Sequence, residues 1–159
     1  MTIRQFEERD RPEIHRITLV CFEPISMAAM AERRYGRFRE VTWQERKLAD
    51  VDADLEVSPQ GVWVAAEEGQ VLGFVTTRLD ERTGIGHLLN LAVDPAHQGK
   101  GLGSMLIRKA LEYLAENGMT HAKIETLVGN AVGEHLYPKL GFEELTRQIY
   151  YMMELPKRA

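Results

Sequence analysis

Six residues in the middle of the chain, Gln98-Gly99-Lys100-Gly101-Leu102-Gly103, have the composition of an anion cradle. Glycine lets a backbone approach a ligand closely and adopt positive φ. A helix that starts on such a loop adds unpaired N–H groups and the positive end of its dipole. That chemistry suits a phosphate or pyrophosphate. The surroundings agree: an apolar run, His87 to Val93, and an Asp94-Pro95 turn come before the loop, and an amphipathic stripe follows it. Two familiar phosphate motifs are excluded. Lys100 is not followed by Ser or Thr, so a magnesium-nucleotide loop has no support, and the glycine spacing is not Gly-x-Gly-x-x-Gly.

Other side chains could move protons. Glu125 lies in the run Lys123-Ile124-Glu125-Thr126-Leu127, where a carboxylate raised in pKa by a cleft could accept a proton. His87 and Asn90 stand on the apolar run before the loop, and an imidazole titrates near neutrality. Tyr137 offers a phenol and His135 an imidazole on a short segment that ends at Gly141. His97 lies in the turn and His121 at the start of a strand, and no histidine pair has metal-ligand spacing. Cys21 is the only cysteine. Alone in an apolar helical stripe, it reads as a core residue rather than a nucleophile.

The elements that must position these groups follow from periodicity and punctuation. Thr2 to Phe6 is compatible with a first strand. Asp10 and Pro12 read as an N-cap and a first-turn proline ahead of a helix carrying Ile14, Ile17 and Cys21. Two helical pieces follow between Met27 and Glu56, the second restarted by a Thr42–Glu45 capping box. The basic cluster Arg33, Arg34, Arg37 and Arg39 and the acidic run Asp50, Asp52, Asp54 and Glu56 read as solvated faces. Val62 to Thr77 reads as a hairpin, and His87 to Val93 as a third strand. A strong helix from Leu102 ends at Asn117-Gly118. Ala122 to Leu127 then reads as a strand, Ala131 to Leu140 as a helix, and Phe142 to Leu155 as a closing strand pair. Antiparallel strands followed by a strand-helix-strand crossover imply a mixed sheet with helices on its faces.

Composition narrows the class. A length of 159 residues with 44% hydrophobic content supports one domain with a substantial core. A net charge of -4 disfavours nucleic acid as a partner. A single cysteine suits a reducing, cytoplasmic setting, and neither a bilayer-length apolar stretch nor a signal-peptide pattern is present. The expectation is a cytoplasmic protein with no nucleic-acid or membrane partner, for which a homodimer is allowed.

Taken together, Leu91-Ala92-Val93-Asp94-Pro95-Ala96-His97-Gln98-Gly99-Lys100-Gly101-Leu102-Gly103 closely resembles the acetyl-CoA signature of the GNAT family of N-acetyltransferases. Asn130 and the segment Leu136-Tyr137-Pro138-Lys139-Leu140-Gly141-Phe142 are similar to a second block of that family. The resemblance runs from Val62 to Leu155 and leaves the first sixty residues without a readable motif. It implies a single α/β N-acetyltransferase domain over 1–159, with a GNAT-like mixed, mostly antiparallel sheet flanked by helices. Residues 1–60 would be variable acceptor-side helices and 61–155 the cofactor-binding core.

By the same resemblance, acetyl-CoA is the co-substrate and no metal is needed. The backbone of Leu91, Ala92 and Val93 would pair with the pantetheine arm and help polarise the thioester carbonyl. Gln98 fits the first signature position. Gly99, Lys100, Gly101, Leu102, Gly103 and Ser104 would hold the pyrophosphate, and Asn130 would contact the cofactor from the opposite wall. Tyr137 is the expected acid for the departing thiolate. Glu125, twelve residues earlier, is the expected base, at a spacing similar to the subgroup acting on protein amino termini. Direct attack by a primary amine is preferred to an acyl-enzyme. The acceptor stays open between a protein amino terminus or lysine, a polyamine, an amino acid and an antibiotic amine. A catalytically silent acyl-CoA-binding regulator and a nucleotide-binding module are the rival readings.

Overall fold

Turn formers punctuate the chain into short strands and helices. A computed structural model describes residues 1–158. Strand β1 (Thr2–Gln5) leads through a 3₁₀ turn into α1 (Arg11–Phe22), α2 (Met27–Tyr35) and α3 (Trp43–Val57). Next come β2 (Trp63–Glu67), β3 (Gln70–Asp80) and β4 (Ile85–Val93), and then α4 (Leu102–Glu116), β5 (His121–Ile124) and α5 (Ala131–Lys139). The strands form one sheet in the order β1-β2-β3-β4-β5. All neighbours are antiparallel except β4 and β5, which are parallel and joined by α4 as the crossover.

Local chemistry explains the boundaries. The Thr42–Glu45 capping box closes on α3 as predicted, and Ser26 Oγ accepts from the Ala29 amide at 3.1 Å to start α2. Glu68 and Gly69, at φ 50 and 81, make the two-residue turn that joins β2 to β3. Asp10 behaves differently from the expected helix cap. Its carboxylate accepts from both terminal nitrogens of Arg4 at 2.8 Å and from the Glu7 amide at 2.8 Å, so it locks β1 to the 3₁₀ turn.

Each face of the sheet buries its own core. Ile14, Ile17, Val51 and Leu55 from α1 and α3 meet Val64, Phe74 and Ala92 on one face. Leu102, Leu106, Ala110 and Leu114 from α4 meet Leu72, Val75 and Leu88 on the other. A Cβ on Gly86 would lie 2.6 Å from Leu114 Cδ1, so this glycine is what lets α4 settle onto β4.

Two expectations are corrected. The strand predicted over Ala122–Leu127 ends at Ile124, leaving Glu125 in the connection to α5. The closing strand pair over Phe142–Leu155 does not form. Phe142 packs against Tyr137, but the residues after it enter no ladder, and Leu145 and Tyr151 are 93% and 90% exposed. Strand propensity is realised only against a partner strand. Here the run Ile149 to Met153 finds a side-chain contact instead: Tyr35 Oη donates to the Met152 carbonyl at 2.9 Å.

Candidate functional site

The sheet opens where β4 loses β5 and its ladder with β3 shifts register. Pairing with β5 stops at Leu88–Ile124, while β4 continues to Val93. At the same place the ladder with β3 slips: Thr77 pairs with Leu88 and Thr76 with Asn90, so Leu89 is an extra residue in a β-bulge. Leu91, Ala92 and Val93 therefore pair with β3 on one edge and have an open edge on the other. An open strand edge is what an extended arm needs for backbone pairing. The Val93 carbonyl itself is occupied, accepting from Gln98 Nε2 at 3.0 Å and from Cys21 Sγ at 3.2 Å.

The glycine loop starts where the open edge ends. Asp94 caps its turn by accepting from the Ala96 amide at 2.9 Å and is gripped by Arg16 at 2.5 Å. The Arg16 hydrogen bond, helped by the Ala96 amide, holds the Asp94 carboxyl below the ordinary aspartate range. Gly99 and Gly101 sit at φ 78 and 82 with open space around a notional Cβ, so the left-handed backbone is what demands glycine there. No side chain caps α4, and the first amide to donate within the helix is Met105 to the Gly101 carbonyl at 3.1 Å. The amides of Leu102, Gly103 and Ser104 thus stand at the positive end of a 15-residue helix. The Leu102 side chain is buried in the core, so only its backbone amide is presented at the helix start. Lys100 is exposed beside the loop.

Helix α5 closes the other wall. A Cβ on Gly103 would meet Leu136 Cδ2 at 3.3 Å, so α5 lies against the start of α4. Asn130 occupies the N-cap position of α5, and its Nδ2 donates to Thr126 Oγ1 at 3.0 Å. Tyr137 packs edge-on to Phe142 with ring centroids 6.1 Å apart, and burial raises its pKa, keeping the phenol protonated. Glu125 is 72% exposed and pairs with Lys123 at 2.9 Å, a wetter setting than the expected cleft.

The α3 face of the open strand holds a polar cluster. Asp54 accepts from Thr76 Oγ1 at 2.9 Å, Asn90 Nδ2 at 2.8 Å and an Arg78 guanidinium nitrogen at 3.0 Å. Asn90 also donates its amide to Thr76 Oγ1 at 3.1 Å and accepts from Lys47 Nζ at 2.7 Å. This set replaces the ladder contacts that the bulge disrupts. Beside it lies an open cleft of about 560 Å³ lined by Arg78, Leu79, Asp80, Glu81, His87 and Leu89. His87 is half-buried there.

The sequence singled out His87 and Asn90 on β4 but gave no sign of Asp54, Thr76, Arg78 or Lys47 as their partners. The acidic run was read as solvated, and Asp54 corrects that: it is 5% exposed, between the buried Val51 and Leu55. Its place on the apolar side of the α3 wheel was the available signal. Asp50, Glu56 and all four arginines from Arg33 to Arg39 are exposed, as expected. Cys21 also fits its reading: burial pushes its thiol up to about 11, which leaves little thiolate at neutral pH. Among the described residues no three His, Cys, Asp or Glu side chains converge on a metal-sized site.

An uncapped row of amides, two left-handed glycines and a strand with an open edge fit a ligand that has a pyrophosphate and an extended arm. The sequence profile of the Acetyltransferase (GNAT) family matches residues 11–142. The chain belongs to the GNAT family. Among GNAT relatives, a mycothiol acetyltransferase from Rhodococcus opacus is 32% identical over 117 residues, covering 69% of this chain and 38% of that protein. A human N-acetylaspartate synthetase is 31% identical over 144 residues, covering 86% of this chain and 47% of that protein. The chain thus matches less than half the length of either relative. A GNAT acetyltransferase from Brucella melitensis, solved in complex with acetyl-CoA, superposes with a TM-score of 0.64 at 27% identity, covering 90% of this chain and 82% of that one. The mixed five-stranded sheet flanked by helices is the GNAT fold.

Proposed function

We propose that this GNAT domain moves an acetyl group from acetyl-CoA to a primary amine by direct attack. One observation carries the reading: the open edge of Leu91–Val93 runs straight into the uncapped amides of Gly99–Ser104. Acetyl-CoA, bound as co-substrate, supplies an acetyl thioester. The amides of Leu102, Gly103 and Ser104, with Lys100 beside them, hold its pyrophosphate, while Leu91, Ala92 and Val93 pair with its arm. Gln98 steadies the strand end through Val93, and Asn130 approaches from α5.

A neutral acceptor amine then attacks the thioester carbonyl. The C–N bond forms as the C–S bond breaks, the surplus amine proton passes to a base, and Tyr137 gives its proton to the departing sulfur. Glu125 is the proposed base. The placement of His87 in the α3-face cleft favours a second reading in which the imidazole takes that proton. Since α4 and the glycine loop lie on one face, the acceptor enters from the α1–α3 face. That supports residues 1–60 as the acceptor side and 61–155 as the cofactor-binding core. The half-buried, unpaired thiol of Cys21 supports a reducing, cytoplasmic setting.

The test has two arms. Acetyl-CoA at about a hundredfold excess over Kd should stabilise the protein by roughly 2.7 kcal/mol, seen as a rise in Tm. Release of free CoA with a panel of amines should follow. No shift at millimolar acetyl-CoA removes the site, and binding with no release for any amine turns the reading to a silent acyl-CoA binder. Glu125→Gln and His87→Gln, compared across pH, separate the two bases: loss of the true base costs most at low pH, where fewer acceptor amines are neutral.

A further inference from the structure

Lys47 is a cation without an acid partner in the wall of the acceptor side. Its Nζ donates to Asn90 Oδ1 at 2.7 Å and lies 4.1 Å from the centre of the Phe22 ring. The neighbour of Phe22, Cys21, reaches the Val93 carbonyl at 3.2 Å. Contacts of Lys47 and its immediate surroundings thus bracket the Leu91–Val93 edge, Asn90 before it and the end of α1 after it. The side chain is half-buried, and among the described residues no carboxylate lies within 4.0 Å of its nitrogen. Burial lowers the Lys47 pKa, Asp50 and Asp54 offset this only in part from farther off, and Asp54 is already engaged by Arg78, Thr76 and Asn90.

A half-buried ammonium is ordinarily neutralised by a contacting anion. An ammonium has three N–H donors, and only one of these is used here. The amine that acetyl transfer requires and an anion at Lys47 together describe an amino-carboxylate.

Resting on the acetyl-transfer reading above, we propose that the acceptor is an amino acid or similarly short amino-carboxylate, and that Lys47 binds its carboxylate. The amine is then delivered to the Leu91–Val93 edge with the carboxylate anchored beside Asn90. Lys47 is a specificity residue in this scheme, and a charged hydrogen bond of this kind is worth roughly 10- to 100-fold in affinity.

The experiment uses the purified chain saturated with CoA or acetyl-CoA. Calorimetric titration of glycine, alanine and phenylalanine into the CoA complex should show binding that their amides lack. Lys47→Met, which keeps the stem over Phe22, should weaken it by roughly 10- to 100-fold, and Lys47→Arg should recover part of it. In acetyl-transfer assays the parent should prefer each amino acid over its amide by a similar factor in kcat/KM. Lys47→Met should erase the preference with KM for acetyl-CoA within about twofold of the parent and the protein still folded at the assay temperature. Equal binding of acid and amide, or a preference that survives Lys47→Met, overturns the proposal. Lys47-dependent carboxylate binding without transfer to any amine keeps this inference and overturns the transfer reading. Transfer that ignores the carboxylate does the reverse.

Discussion

Replacing Asp54 by alanine tests whether the bulge in β4 is held from α3. The carboxylate accepts from three groups, two of which are themselves buried: Thr76, at 0% exposure, and Asn90, at 8%. Its third partner, Arg78, has a side chain 45% exposed and can turn to water, so that pair adds under about 1 kcal/mol. Each buried donor left without an acceptor costs about 1–3 kcal/mol. Relief of the buried carboxylate's own desolvation offsets part of this, which leaves a net loss of about 2–4 kcal/mol. For a domain of this size that is roughly 4–16 °C in Tm. Urea unfolding with an unchanged m-value measures it directly. Asp54→Asn keeps an acceptor oxygen and should lose less. An alanine variant within about 0.5 kcal/mol of the parent, as for a surface change, would falsify the clamp.

Gly103→Asp should leave the fold intact, because its Cβ meets only the tip of Leu136 at 3.3 Å, yet weaken acetyl-CoA binding by placing a carboxylate at the free amides; unchanged affinity by calorimetry would move the pyrophosphate elsewhere. Tyr137→Phe retains the packing on Phe142 and should lower turnover by about 10²- to 10⁴-fold with little change in acetyl-CoA affinity. Turnover within about twofold of the parent would make Tyr137 structural. Arg16→Gln tests the start of the glycine loop through pH. Because Arg16 holds the folded Asp94 pKa below its unfolded value, the pair stabilises the protein above about pH 4 and the gain is lost as pH falls through the lower folded value. The variant should therefore lose stability near neutrality and converge with the parent in acid, and parallel stability curves would rule this linkage out.

What the sequence determined by itself was local. The glycine loop, the Thr42–Glu45 capping box, the two-residue turn at Glu68–Gly69 and the stripe of α4 each depend on residues within a few positions of one another. Backbone sterics and side-chain period were therefore enough to read them. The resemblance to the GNAT signature, itself a run of adjacent residues, implied Leu91–Val93 and Gly99–Ser104 as one continuous candidate site. Tertiary structure alone decided what pairs across the chain. A strand exists only when a second strand supplies its hydrogen bonds, so the run after Phe142 looked like a strand pair and formed none. Glu125 fell outside β5 into solvent for the same reason: the parallel ladder ended one residue earlier. The grouping of Lys47, Asp54, Thr76, Arg78 and Asn90 has no sequence signature. Members from α3, β3 and β4 meet only because the helix crosses the bulge, where buried polar groups must find one another once water is excluded.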